Sequence, residues 1–327
     1  MSPASQKSQP NLAAAIGARV TIRLREASGG FRDIVGTLQR FGDGVNELLN
    51  SKGQIISFSE DEIAIWREIK PLPDRAGTGA PFSLRIQELE HLSDLTWPAD
   101  EIQEIGKWRL RISDGFTLRA NSVLPTGAGP FGEPSIDLET AVDEVIKIYQ
   151  AAGLTPTFTL PLPIYDELDN YLAGLGWKIK FGAEYLVNDI SANLEVESSD
   201  FQIEIKSEPS PEWLAVQGDH QLERIMRNYP AQYAAVKNKG KLVGAGRIAT
   251  YEKWSLATRV FVDPEFRGKG IGTLLMRALM AAARDEGATK VGLQVDSENG
   301  AGLALYKSMG FRFHHSYNYR VLLDQSK

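Results

Sequence analysis

Between residues 17 and 70 apolar side chains recur in short runs at every second position. Val20, Ile22 and Leu24 alternate with polar neighbours, and Ile34 with Gly36-Thr37-Leu38 repeats the pattern less cleanly. Ile55, Ile56 and Phe58 begin a further run, and Ile63, Ile65, Trp66 and Ile69 another. Period two marks strands with one buried face. Gly29-Gly30, Gly42-Asp43-Gly44 and Lys52-Gly53 separate the runs as turns. Four or five short strands predict a small β-barrel over 16–70. Residues 1–15 read as a disordered tail. Pro71, Pro73, Gly77 and Gly79 make 71–81 a linker.

Beyond residue 82 the period lengthens. A helix is expected from Phe82 to Leu92. Trp108–Ile112 and Phe116–Val123 then flank Asp114-Gly115, a two-residue hairpin signal. Ala141, Val142, Val145, Ile146 and Tyr149 share one face of a helix over 137–152, closed by Gly153. A strand over 155–160, a helix over 165–175 ending at Gly176-Trp177, and a β segment over 178–187 follow. After the polar stretch 188–200, Phe201–Ile205 alternates as a strand, and Ser210-Pro211-Glu212 starts a helix. A helix over 222–228 precedes two strands, 231–236 and 243–250, joined at Asn238-Lys239-Gly240. Val260-Phe261-Val262 is the next strand, ended by Asp263-Pro264. Ile271, Leu274, Leu275, Ala278, Leu279 and Ala282 form one helical face, closed by Gly287. A strand over 290–295 and a helix over 301–309 lead to Gly310-Phe311.

The order helix, Gly153, strand, helix, Gly176-Trp177 recurs as helix, Gly287, strand, helix, Gly310-Phe311, an internal repeat shifted by 134 residues. Under that shift Arg267–Gly272 falls on Glu133–Leu138, Asn299 on Tyr165 and Tyr306 on Leu172. The first copy therefore lacks the glycines and cations of the second and carries an acid in their place.

Strand, glycine turn and helix start together make an anion site. The first N–H groups of a helix are unpaired within it and sit at the positive end of its dipole. Gly268, Gly270 and Gly272 let a phosphate approach the backbone, and Arg267 and Lys269 add charge. Neither the Gly-x-Gly-x-x-Gly spacing nor a Gly-Lys-Ser/Thr phosphate motif is present.

The ordered set Arg267-x-x-Gly270-x-Gly272, helix, strand, Asn299, Tyr306, Gly310-Phe311 resembles the GNAT acetyltransferase family over roughly 201–323. The resemblance implies an α+β chain. Its C-terminal GNAT fold, a mixed twisted sheet flanked by helices, occupies 198–327. A degenerate GNAT-like copy spans 82–192, and an SH3-like β-barrel spans 16–70. Arg32–Leu38 looks like the barrel module that stands in front of some actinobacterial GNAT proteins. The resemblance further implies acetyl-CoA as cosubstrate. Its pyrophosphate would lie on Arg267, Gly268, Lys269, Gly270, Ile271, Gly272 and Thr273, with Asn299 a further contact. The backbone of Val260, Phe261 and Val262 would hold the pantetheine and supply an oxyanion donor. Tyr306 would protonate the CoA thiolate. Many relatives carry a Glu base on the strand that here reads Ala257-Thr258-Arg259-Val260, and this chain lacks it. Glu252 is the acid assigned to that role here, with Asp296, Glu298, a backbone-held water and the His314-His315 pair as open alternatives.

Composition bounds these readings. The chain has 327 residues and no cysteine, which removes disulfides and thiolate chemistry. Its four histidines show no metal-ligand spacing, so no metal is expected. No apolar run is long enough to span a membrane, and the reading is a cytoplasmic protein. Residues 198–327 hold 18 Lys and Arg against 14 Asp and Glu, whereas 1–197 hold 18 against 28. The basic part contains the anion loop, and the acidic part speaks against a nucleic-acid partner. The expected partner is a primary amine on a small molecule or a protein, and a homodimer stays open. A non-catalytic acyl-CoA-binding regulatory protein is the rival reading.

Overall fold

A computed structural model describes residues 12–26, 29–42, 44–50, 54–68, 82–191, 201–218 and 222–323. The chain forms two compact units, 1–74 and 75–327. The expected linker over 71–81 lies outside the described residues.

The first unit is an antiparallel sheet of β1 (Arg19–Arg25), β2 (Phe31–Arg40), β3 (Glu47–Asn50), β4 (Ile55–Ser57) and β5 (Ile63–Glu68). Their spatial order is β4-β3-β2-β1-β5. The alternation read from the sequence is borne out in β1, where Val20, Ile22 and Leu24 are fully buried while their neighbours are not. Among the described residues no pairing joins β4 to β5, so the sheet is open where a closed barrel was expected. Leu12–Ala15 forms a 3₁₀ turn whose Leu12 and Ala15 join the same core. Those four residues are therefore not part of a disordered tail: an apolar pair at the end of a polar segment has a core to cover.

The second unit is one eleven-stranded sheet. Its first half contributes α1 (Phe82–Leu95), β6 (Glu101–Ile105), β7 (Trp108–Ile112), β8 (Val123–Pro125), α2 (Leu138–Ala151), β9 (Thr157–Leu162), α3 (Asp166–Gly174) and β10 (Lys178–Asp189). The second half contributes β11 (Gln202–Lys206), α4 (Pro211–Val216), α5 (Leu222–Arg227), β12 (Gln232–Asn238), β13 (Lys241–Tyr251) and β14 (Trp254–Val262). It continues with α6 (Ile271–Asp285), β15 (Lys290–Asp296), α7 (Gly300–Ser308) and β16 (Arg312–Val321). The helices start where short polar side chains cap them. Asp137 accepts from Thr140 N at the head of α2, and Ser210 accepts from Trp213 N at the head of α4. Helix α3 and helix α7 are offset by 134 residues at both ends, as the repeat predicts.

The strand order β11-β12-β13-β14-β15-β10-β16-β9-β8-β7-β6 shows how the halves join. Strand β10 does not pair with β9 of its own half but lies between β15 and β16. Strand β16 in turn lies between β10 and β9. Each half thus completes the other's sheet; the expected boundary between 192 and 198 lies outside the described residues. A bidentate ion pair ties the exchange. Arg320 Nε and Nη2 on β16 donate to the two Asp169 oxygens on α3 at 2.7 and 2.6 Å. Among the described residues no helix is long and apolar enough to cross a membrane.

One strand carries no readable pattern in the sequence, and one local expectation fails. Strand β6 was not foreseen; it is an exposed edge strand, so its burial leaves little alternation to read. Asp114-Gly115 does not join two long strands. Strands β7 and β8 pair over three positions, and 113–122 is a loop whose turns are held by its own side chains. Asn121 Oδ1 accepts from Ser113 N and Gly115 N, and its Nδ2 donates to Thr117 O.

Candidate active site

Strands β14 and β15 are parallel and pair only from Trp254 to Ala257 against Lys290 to Leu293. Beyond Ala257 they separate. The cause lies on the other side of β14. Its register with β13 shifts between Arg247↔Thr258 and Ala245↔Phe261, so Arg259 and Val260 together oppose Gly246. This bulge puts Arg259 in the left-handed region at φ 58°, and a bulge bends its strand and raises the local twist. Gln217 fixes the unusual backbone. Its Nε2 donates to Arg259 O at 3.1 Å, and Arg259 Nε donates to Gln217 Oε1 at 2.9 Å.

A groove of about 440 Å³ opens beside the separated strand end. Its walls are Val260, Phe261 and Val262 of β14, the turn Arg267, Gly268, Gly270, the first residues Ile271, Gly272 and Thr273 of α6, and Asn299 and Tyr306 of α7. Every residue assigned to the cofactor from the sequence except Lys269 lines the groove, together with Tyr306, Phe266, Ala301, Gly302 and Leu305; Lys269 Nζ lies 4.6 Å over the Phe266 ring. Gly268 and Gly270 have φ of 74° and 78°, and Gly270 is the N-cap of α6 with no side-chain cap. The first N–H groups of α6 are left to the groove. Gly272 serves packing instead: a Cβ there would stand 2.8 Å from Leu305 of α7, so the glycine lets α6 and α7 close up. Asn299 caps α7 by accepting from Gly302 N at 2.9 Å while it also lines the groove. Tyr306 is 8% exposed, edge-on to Phe311, and burial pushes its phenol up to about 12.

A second cavity of about 340 Å³ adjoins β14 at Ala257, Thr258 and Arg259. Consecutive residues, Arg259 and Val260, line the two spaces. Its remaining walls come from elements far apart in sequence: Trp97 and the 116–119 part of the long loop, Phe181 of β10, Gln294 of β15, and Tyr317 and Tyr319 of β16. None of these residues was singled out as a site from the sequence. Only Arg259 carried a signal, an arginine inside an otherwise apolar strand.

Other expected residues are not brought to these cavities. Glu252 sits exposed at the tip of the β13–β14 hairpin, at φ 53°, eight residues and roughly 25 Å along the strand from Val260. It cannot act as the base at the strand separation: a hairpin tip and a mid-strand bulge are opposite ends of one extended segment. Asp296 accepts from Glu298 N at 2.8 Å and closes the turn after β15, with Glu298 exposed. His315 is buried on β16, its Nε2 2.9 Å from Glu90 of α1 and its ring stacked on Tyr185. His314 neighbours it, and burial, His315 and Arg85 lower its pKa to about 4.

A large mixed sheet with separated parallel strands and a glycine turn opening onto a helix start defines the class: a GNAT-type N-acetyltransferase, a class of enzymes that use acetyl-CoA. Within that class the chain belongs to the family described as "Probable histone acetyltransferase Rv0428c C-terminal", which matches residues 84–320. It is 25% identical over 323 residues to the probable histone acetyltransferase Rv0428c of Mycobacterium tuberculosis, covering 93% of this chain and 94% of that one. It is 28% identical over 250 residues to the uncharacterized N-acetyltransferase YobR of Bacillus subtilis, covering 72% of this chain and 98% of that one. In fold it is similar to a tandem GNAT protein from the clavulanic acid biosynthesis pathway. That likeness has a TM-score of 0.52 at 15% identity, over 73% of this chain and 87% of that one.

Proposed function

We propose that the chain transfers an acetyl group from acetyl-CoA to a primary amine by direct attack within a ternary complex. The observation that carries this reading is the groove, in which one continuous wall joins the separated strand, the uncapped start of α6, Asn299 and Tyr306. Acetyl-CoA would supply an activated acyl thioester there. The α6 N–H groups, with Arg267 beside them, offer donors and positive charge to a pyrophosphate. The backbone released by the bulge at Val260 offers an N–H to a developing oxyanion. The Tyr306 phenol is the group that returns a proton to the departing sulfur. Its pKa of about 12 keeps it protonated at every working pH. Burial raises the pKa of a thiolate in the same groove as well, which narrows the gap the proton must cross. No Asp, Glu or His lines either cavity. The amine proton therefore leaves through water rather than to a side-chain base.

The first half is read as degenerate. Where the second half has its glycine turn, Glu133 and Ser135 hold φ of 52° and 64°. Its loop also folds back on its own strands: Lys107 N donates to Glu133 O at 2.8 Å, and Trp108 Nε1 donates to Phe131 O at 2.7 Å. The five-stranded unit in front is read as an SH3-like module, and the protein as cytoplasmic.

Calorimetric titration of acetyl-CoA tests the reading. Wild type is expected to bind in the micromolar range and Gly270→Glu to lose binding, since the variant sets a carboxylate at the phosphate position. Gly270→Asn, which tolerates the left-handed backbone, is expected to keep the fold and most of the affinity. Absence of binding to wild type would overturn the cofactor assignment, whereas binding without turnover of any amine would favour the rival acyl-CoA-binding reading.

A further inference from the structure

The second cavity has a charge character that its neighbours do not neutralise. Arg119 and Arg259 line it, and no Asp or Glu does. Arg119 donates to Gln294 Oε1, a neutral amide. Arg259 is held by the Gln217 side chain and carbonyl, again neutral groups. Behind the wall lies a third guanidinium. Arg247 is fully buried, pairs in register with Thr258 and lies under the Trp97 ring at 5.2 Å. Its Nη2 donates to the carbonyls of Thr96 and Tyr229 at 3.1 and 3.3 Å, and Nε and Nη1 have no hydrogen-bond partner. Thr258 Oγ1, on the wall itself, is likewise buried and unpartnered. Burial lowers the pKa of both Arg247 and Arg259; at Arg247 the Tyr233 hydroxyl opposes that shift and the nearby Arg119 adds to it. Glu90 of α1 lies 2.9 Å from His315 Nε2 and 3.5 Å from Gln294 Nε2, and the Gln294 amide separates it from Arg119. The remaining walls are aromatic: Trp97, Phe116, Phe181, Tyr317 and Tyr319.

Among the described residues none of the three guanidiniums has a carboxylate in direct contact, a costly arrangement unless something supplies an anion. We propose that the acceptor amine also carries a carboxylate, on an apolar body, and that Arg119 and Arg259 hold that acid group at the mouth of the bulge. This deepens the acetyltransferase reading and rests on it for the identity of the reacting amine. The same cations serve the amine. A nearby positive charge disfavours an ammonium, so the acceptor reaches the site neutral without a side-chain base. A volume of about 340 Å³ is at the small end of ligand sites and fits an amino-acid-sized molecule. A lysine in a cationic peptide is the wrong charge for it.

The test titrates matched pairs into the full chain without acetyl-CoA: phenylalanine against phenethylamine, and leucine against isoamylamine. Each pair differs by the carboxylate alone. The acid is expected to bind about ten- to a hundredfold tighter in wild type, the range of a charge-assisted fork. In Arg119→Gln the preference should fall to within about threefold. Arg119→Lys should keep part of it, because it retains charge and loses the fork. Equal or tighter binding of the bare amines overturns the proposal. So does an unchanged preference in Arg119→Gln, no measurable binding of either acid, or faster acetylation of a lysine-rich peptide than of both amino acids. A carboxylate preference in a protein that fails to bind acetyl-CoA would sink the acetyltransferase reading and leave the cavity assignment standing.

Discussion

Tyr306 shows what a single position can carry. Its helix places it beside the groove, its burial keeps its proton, and the aromatic edge of Phe311 fixes its ring. Tyr306→Phe removes one oxygen and little packing. The variant is expected to bind acetyl-CoA as wild type does and to lose about a hundredfold in turnover, the usual worth of a positioned acid. Thiol-release kinetics beside calorimetry reads the two separately, and unchanged turnover would remove Tyr306 from the chemistry. The residue was legible in the sequence because its partners are local: Asn299, one α7 away, and Phe311, just past the helix end. Glu252 was misread for the converse reason. An acid near a strand in sequence is not near the strand's working end once a hairpin tip intervenes.

At the scale of elements, β14 and β16 decide most. Strand β14 leaves β15 because its bulge against β13 adds one residue where the partner has one fewer. Strand β16 carries the half-buried His314 and the buried His315 against α1. His314 faces His315 and Arg85, with Glu90 and Tyr185 around His315. Its folded pKa of about 4 lies below the ordinary value of 6.5. The unfolded chain therefore binds its proton first. The stability this residue contributes is complete above about pH 6.5 and is lost as pH falls towards 4. Urea midpoints between pH 7.5 and 4.5 should drop more steeply in wild type than in His314→Gln. Equal slopes would show that the ring is charged at little cost in the folded chain.

For the second unit as a whole, exchange of β10 and β16 makes two copies into one sheet. The Asp169–Arg320 pair crosses between the halves and is nearly buried, with Arg320 Nη1 also donating to Trp177 O at 3.1 Å. Removing one partner leaves an uncompensated charge, which costs about 3–5 kcal/mol. Asp169→Asn should lower the urea midpoint of the 75–327 unit accordingly. Signals from both halves should still shift together, because neither has a complete sheet alone. Separate transitions in the variant would mean that the halves fold independently. The composition of the second cavity belongs to this scale too, since its walls come from both halves.

The sequence by itself determined what short-range physics encodes. Period-two runs placed the strands, 3.6-residue faces placed α2 and α6, and the glycine turn with Asn299 and Tyr306 marked one wall of a site within about fifty residues. The repeat offset was visible because turn glycines recur at fixed spacing. Tertiary structure alone decided how the copies join, since strand order depends on pairings between segments more than a hundred residues apart. It also decided the second cavity. A loop read as a hairpin turned out to be wall, and Trp97, Arg119, Phe181 and Gln294 carry no mutual pattern along the chain. Burial, not sequence, leaves the arginines there without an anion, because charge neutralisation is a property of neighbours in space.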